Sequence, residues 1–236
     1  MHSLLMLTAF TIPTGVDVAS TETLSTAAVV SLRQTADELS PQLQTGSLLF
    51  SEGDCLAIRV YTASSYTHVA IVVIEHGQPF VYDSMNGAGV RKQSLTSYLI
   101  GQCPDELHVY HPARPFTEEQ GRGLARYLDS QLGRSYSVHH HLTGQRAEGV
   151  HCAEYVTEAL MSIELLHADR PWKVSPASLQ TGITTAGIYE STCIANLEPT
   201  PTPTLQGSGR CHQMWLDTKQ CLGQCCHQLS GWFLCR

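Results

Sequence analysis

Charge is scarce in this chain. Asp, Glu, Lys and Arg make up only 15% of its 236 residues, and the balance is acidic, with a net charge of −7. No run of Lys and Arg occurs anywhere along it. A surface without basic clusters cannot neutralise a phosphate backbone, so nucleic acid is excluded as a partner class. An anionic membrane surface is disfavoured on the same ground. Long apolar runs are missing too, and none approaches the roughly 18–20 residues of a spanning helix. The run Ser3-Leu4-Leu5-Met6-Leu7-Thr8-Ala9-Phe10 is short and no Lys or Arg precedes it. With small residues following at Ala19-Ser20, it makes only a weak signal-peptide pattern. Two locations stay open: cell envelope or periplasm if this segment directs export, cytoplasm if it is an ordinary hydrophobic N-terminus.

What the chain does have is apolar content of 42%, enough for a sizeable core, at a length that suits one domain with additions. It also has nine cysteines, unevenly placed. Cys55, Cys103 and Cys152 precede residue 180, while Cys193, Cys211, Cys221, Cys225, Cys226 and Cys235 follow it. An odd count leaves at least one thiol unpaired in a monomer.

The most informative stretch is Ser64 to Ile74. It is rich in β-branched and apolar residues, uninterrupted by Gly or Pro, and apolar at consecutive positions after His68, which reads as a strand covered on both faces. Glu75-His76-Gly77-Gln78 is a short polar break, and Pro79 to Met85 resumes a strand pattern, so the pair reads as a hairpin. A turn centred on His76-Gly77 sets residue 70 opposite 83 and 68 opposite 85. Asp83 then shares a face with His68 on the diagonal, with backbones roughly 7–8 Å apart. A slip of one residue would separate them. The second informative stretch, Gly149 to Ile163, has helical periodicity, with Cys152, Val156, Ala159, Leu160 and Ile163 on one face and Glu154 and Glu158 pointing elsewhere. Cys152 opens that helix, where the positive end of the macrodipole favours thiolate. Cysteine, histidine and aspartate so placed supply a nucleophile, a base and an orienting group. On the residues alone, His68 also fits a hydrogen-bonded core histidine and Cys152 a small buried core cysteine.

The remaining signals are structural. Residues 22–39 read as a helix ended by Ser40-Pro41, Gly46 to Phe50 as a strand, and Leu56 to Tyr61 as a short element of either type. Leu95 to Ile100 reads as a short helix and Leu107 to His111 as a strand. Thr117 and Gln120 have the spacing of a capping box, with Gly133 as the C-cap. His139-His140-His141 reads as a loop or strand beside the cleft rather than a metal site.

Thr45-Gly46-Ser47-Leu48-Leu49-Phe50, Tyr66-Thr67-His68-Val69-Ala70-Ile71-Val72, Val81-Tyr82-Asp83-Ser84 with Gly89-Val90, Gly133-Arg134-Ser135-Tyr136, and His151-Cys152-Ala153-Glu154-Tyr155-Val156 together resemble the permuted NlpC-like papain-fold cysteine hydrolases, most closely the bacterial YiiX/YaeF-like amidases. Val174 to Leu179 resembles their closing segment. The resemblance implies an α+β fold, with an antiparallel sheet and the nucleophile at a helix N-terminus. It implies Cys152 as nucleophile, His68 as base and Asp83 as third residue, with Tyr66 beside the site as an aid to the oxyanion. Relatives usually carry Glu where Asp83 stands, and Asp where Ser137 stands. No metal or cofactor is implied. The expected activity is cleavage of an amide bond, peptide or acyl-amide, through a thioester. Peptide, amide and lipid-acyl substrates all remain open. The rivals are an acyltransferase or lipid esterase on the same fold, whose relatives typically carry a second histidine in place of Asp83, and a binding domain with a fortuitous cysteine.

The expected organisation is an N-terminal segment over 1–44, the hydrolase domain over 45–180, a Pro/Thr/Gly linker over 181–209 and a cysteine-rich tail over 210–236. The tail lacks paired C-x-x-C knuckles, and metal binding, disulfides and an amphipathic segment making peripheral membrane contact through Trp215, Trp232 and Phe233 are its alternative readings.

Overall fold

A computed structural model describes residues 26–52, 66–102, 104, 106–138 and 148–197. The signal-like run, the element expected at 56–61, the histidine tract, the Pro/Thr stretch, the tail, Cys55 and Cys103 lie outside the described residues. The strands are β1 (Leu48–Glu52), β2 (Tyr66–Glu75), β3 (Gln78–Met85), β4 (Gly89–Ser94), β5 (Glu106–Pro112) and β6 (Tyr189–Asn196). The helices are α1 (Thr26–Leu39), α2 (Leu95–Gln102), α3 (Glu118–Ser130), α4 (Cys152–Ser162) and α5 (Pro176–Thr185). The strands form one six-stranded antiparallel sheet in the order β4-β3-β2-β1-β5-β6. This is the α+β architecture expected from the sequence.

Helices cover both faces of the sheet, which explains the unbroken apolar run of β2. Val69, Ile71 and Val73 enter a core with Leu124 and Leu128 of α3, Val156 and Leu160 of α4, and Leu179 and Ile183 of α5. Ala70 and Val72 enter a second core with Leu32 and Ala36 of α1 and Leu95, Tyr98 and Leu99 of α2. Each large apolar side chain fully withdrawn from water contributes about 1.5–3 kcal/mol, so the strand that carries the site is anchored from both sides.

His76 (φ 51°) and Gly77 (φ 78°) both take left-handed backbone, as a type I′ hairpin turn requires. The ladder runs from Glu75–Gln78 to Ile71–Tyr82, the register expected for β2 and β3. The Thr117–Gln120 capping box is present at the start of α3. Gly133 is not its C-cap: the helix stops at Ser130 with Gln131 as cap, and Gly133 (φ 81°) turns the chain so that its N–H donates to the Val90 carbonyl at 2.9 Å. The stretch 181–209 is not a linker from its start either. α5 continues to Thr185, and β6 pairs with β5 from Pro112–Tyr189 to Glu106–Asn196. Tyr189 and Leu197 are buried there, and that burial, with the ladder along β5, holds the strand in place. Nor does Glu154 turn away from the core: α4 is buried on most of its circumference, Glu154 included.

Candidate active site

The site forms where the sheet opens. β2 and β3 stop pairing at Ile71–Tyr82, and His68 and Asp83 lie just beyond. The start of α4 is tied to this opening. Ser84 Oγ donates to the Val150 carbonyl at 2.7 Å, and Val150 N–H donates to Ser135 O at 2.9 Å. Gly149 is required by close approach, since a Cβ there would collide with Ser137. His151 is the N-cap of α4. Its backbone is extended, its Nδ1 accepts from the Glu154 N–H at 3.3 Å, and its Nε2 lies 3.3 Å from the Trp172 carbonyl. Cys152 is therefore the first residue of the helix, at the end where backbone N–H groups lack intrahelical partners and the dipole favours an anion.

His68 bridges the hairpin and the helix. Its Nε2 lies 3.1 Å from Asp83 Oδ2, and the ring is close enough to Cys152 for the two groups to shift each other's ionisation. The imidazole stacks on Tyr98, with ring centroids 6.3 Å apart. Its side chain is 13% exposed, whereas Asp83 is fully buried. Asp83 accepts from Arg91 Nε at 2.8 Å and Arg91 Nη2 at 3.0 Å, a bidentate pair. It also accepts from the Gln102 amide at 3.2 Å. Gln102, the last residue of α2, places the same amide 3.3 Å from His68 Nε2.

These contacts set the charges. Burial works against the charged form of His68, but the Cys152 charge and the hydrogen bond to Asp83 outweigh it and raise its pKa. Burial likewise works against the Cys152 thiolate, but the His68 charge and hydrogen bonds from His151 and His68 overcome it and lower the thiol pKa. Asp83 is held below the ordinary carboxylate range by His68 and Arg91 in spite of its burial. The His151 pKa is raised by the neighbouring Cys152, again against burial. Tyr136 is shifted up by burial and by the Cys152 charge. The arrangement favours an imidazolium–thiolate pair, the form in which a cysteine attacks a carbonyl.

The structure thus brings together Cys152, His68 and Asp83. Tyr66 takes a different direction. Beyond the Ser51–His68 pair the β1–β2 register shifts by one, so that Glu52 pairs with Tyr66 and Thr67 is the extra residue. Tyr66 therefore packs with Phe50 and Tyr110 on the first core, while His68 stacks on Tyr98 of the second. The Tyr66 hydroxyl lies 3.0 Å from His108 Nδ1 and 3.4 Å from Tyr110 Oη, and His108 Nε2 is 2.9 Å from Glu106 Oε1. Sequence reasoning passed over Arg91, Gln102, Tyr98 and His151. A signal existed for Arg91: a second hairpin turn at Asn86–Ala88 sets it directly opposite Asp83, as observed. Gln102 and Tyr98 come from a helix with no sequence link to the hairpin. Among the described residues, no group of three or more His, Cys, Asp or Glu side chains is assembled as a metal site would be.

Residues 42–170 match a family described as the permuted papain-like amidase enzymes, YaeF/YiiX, C92 family. Among solved structures the chain is similar to the metalloprotein yiiX from Escherichia coli O157:H7, with 19% identity and a TM-score of 0.46 over 64% of this chain and 88% of that one. No curated protein matches.

Proposed function

Because the chain belongs to the YaeF/YiiX family of permuted papain-like amidases, and is by that membership a cysteine hydrolase, we propose that it cleaves an amide through a Cys152-His68-Asp83 triad and a thioester on Cys152. One observation carries this reading: the His68 ring stands between a buried carboxylate 3.1 Å from Nε2 and a thiol at the first residue of a helix. His68 takes the thiol proton, and the Cys152 sulfur attacks the carbonyl carbon. The oxyanion meets the Cys152 N–H at the helix start, where a single well-placed donor contributes about 3–4 kcal/mol to the barrier. His68 then returns its proton to the leaving nitrogen. Water, deprotonated by His68, opens the thioester and releases the acid.

Tyr66 enters as an auxiliary donor only in one hydrogen-bond arrangement. When His108 Nδ1 donates to the Tyr66 oxygen, the phenol proton can turn to substrate or to Tyr110 Oη 3.4 Å away; when Nδ1 accepts, that proton is spent inside the pair. The test of the triad is intact-protein mass spectrometry during turnover of a panel of peptidyl and fatty-acyl amides. The expected result is an acyl adduct on the Cys152 peptide with a parallel release of amine. Turnover by the Cys152→Ser variant at the wild-type rate would overturn the assignment.

A further inference from the structure

Asp83 carries more partners than a triad needs. A carboxylate that only orients an imidazole has one task, yet this one accepts from His68, twice from Arg91 and once from Gln102, with none of its surface in water. Among the described residues, Arg91 is the permanently charged cation that meets it. The other groups facing the cluster are Tyr98 and Gln102 from α2, His151 and Glu154 from α4, and Tyr136 from the segment before it. None of these brings a fixed positive charge to Asp83.

We propose that Arg91 is a positioning residue that serves as the counter-ion of Asp83 and so frees the charge of His68 for Cys152. The inference rests on the triad reading above and follows from counting charges. With thiolate, imidazolium, carboxylate and guanidinium present, the charges of these four groups cancel, the guanidinium standing at the rim with a quarter of its surface in water. Without Arg91 the same cluster holds one uncompensated negative charge in a dry place, where the cost is high. The group that can relieve it is the thiolate, which takes up a proton and leaves His68 as the partner of Asp83. The base is then tied to its orienter, and the nucleophile is a neutral thiol. Arg91 keeps Asp83 from claiming the imidazolium, so that Asp83 directs the ring through a hydrogen bond. Guanidinium suits the task, because it stays charged in the interior and its fork matches a carboxylate.

The test is the pH dependence of iodoacetamide alkylation at Cys152, followed by mass spectrometry of the Cys152 peptide in the full-length protein, alongside turnover and melting temperature. Arg91→Met should move the thiol titration up by at least a unit, which slows alkylation at mildly acidic pH by about tenfold or more. Asp83→Asn/Arg91→Met removes both charges and keeps an acceptor for His68 Nε2, so the titration should return most of the way to wild type and turnover should exceed that of either single variant. Arg91→Lys should keep the wild-type titration, with a lower melting temperature from the lost bidentate geometry. If Arg91→Met lowers the melting temperature while the titration of folded protein stays put, Arg91 is only structural and the proposal is overturned. A double variant no better than Arg91→Met overturns it as well. An ordinary thiol titration in the wild type would instead remove the triad reading and this inference together.

Discussion

Arg91 and Lys92 are neighbours on β4, and each meets a carboxylate of the β2–β3 hairpin, one at each end. Lys92 Nζ lies 2.7 Å from both oxygens of Glu75 at the turn end, beneath the rings of Phe80 and Tyr82, with both charged side chains about a quarter exposed (26% and 28%). The Tyr82 hydroxyl, with one proton to give, lies 3.1 Å from Glu75 Oε1 and 2.8 Å from Asp129 Oδ1. At the open end Arg91, at 25% about as exposed as Lys92, meets a carboxylate with no exposure at all, so the difference lies in the acid. The pairing chemistry is the same, and access to water separates the two. An ion pair that solvent reaches contributes about 0–1 kcal/mol, because water replaces either partner cheaply. A buried carboxylate deprived of its partner costs about 3–5 kcal/mol, which proton uptake by a neighbouring group relieves. The turn end can therefore only hold the hairpin together, while the open end can set the ionisation of its neighbours.

The comparison breaks most completely at the group the buried end serves. Cys152→Ser should reduce amide turnover to background and leave the fold intact, since serine is nearly isosteric but is not ionised by this environment; circular dichroism with a rate assay checks both halves. Next comes Asp83→Asn, expected to lower the rate by about 10²–10⁴-fold, the range for disturbing a base or its orienter. Asp83→Glu should lose less, because it keeps the charge that Arg91 balances, and an equal loss in the two variants would show that shape rather than charge is what Asp83 supplies.

The pH response sharpens the contrast further. The depressed thiol predicts alkylation of Cys152 persisting below the ordinary thiol range of about 8.5, ending as pH falls through its lowered value. The raised imidazolium predicts stability that is fully present below the unfolded value of about 6.5 and is lost as pH rises through the higher folded one. Asp83, depressed when folded, contributes stability above about 3.9 that disappears as pH falls through its folded value. Thermal melts across pH should show this acid limb flattened in Asp83→Asn. The smallest effect belongs to the turn end: Lys92→Met should cost about 1 kcal/mol or less and leave turnover per folded molecule unchanged. A rate loss there beyond a few-fold would mean the two ends are coupled through β4.

The hairpin and the nucleophilic helix were legible in the sequence because their signals are local. His76-Gly77 dictates the turn, the turn dictates the register, and the register puts Asp83 on the face of His68. The apolar periodicity from Gly149 to Ile163 puts Cys152 at the start of a helix. What was not legible depends on elements far apart in the chain. Gln102 and Tyr98 reach His68 only because α2 packs across the sheet. β6 was missed because its burial falls almost entirely at Tyr189, leaving the exposed or half-exposed run from Glu190 to Asn196 to read as loop. Tyr66 was placed beside the site by resemblance, and no sequence signal marks the extra residue that turns it to the other face from His68.

That extra residue makes the site sensitive to insertion. Inserting one residue after Thr67, with the bulge kept to a single residue, would shift the register beyond it, and strict alternation would then send Tyr66 to the face of His68 and Tyr98. The large ring would leave its place beside Phe50 and Tyr110 and compete with His68 for the platform on which it stacks. Replacing Thr67 by Ser or Val, which keeps the chain length, should leave the rate within a few-fold of wild type, whereas inserting a residue after it should abolish the activity. Comparing the length-preserving and length-changing variants by rate and by tyrosine fluorescence would separate the two effects, and equal activity in both would show that the strand re-forms its offset elsewhere.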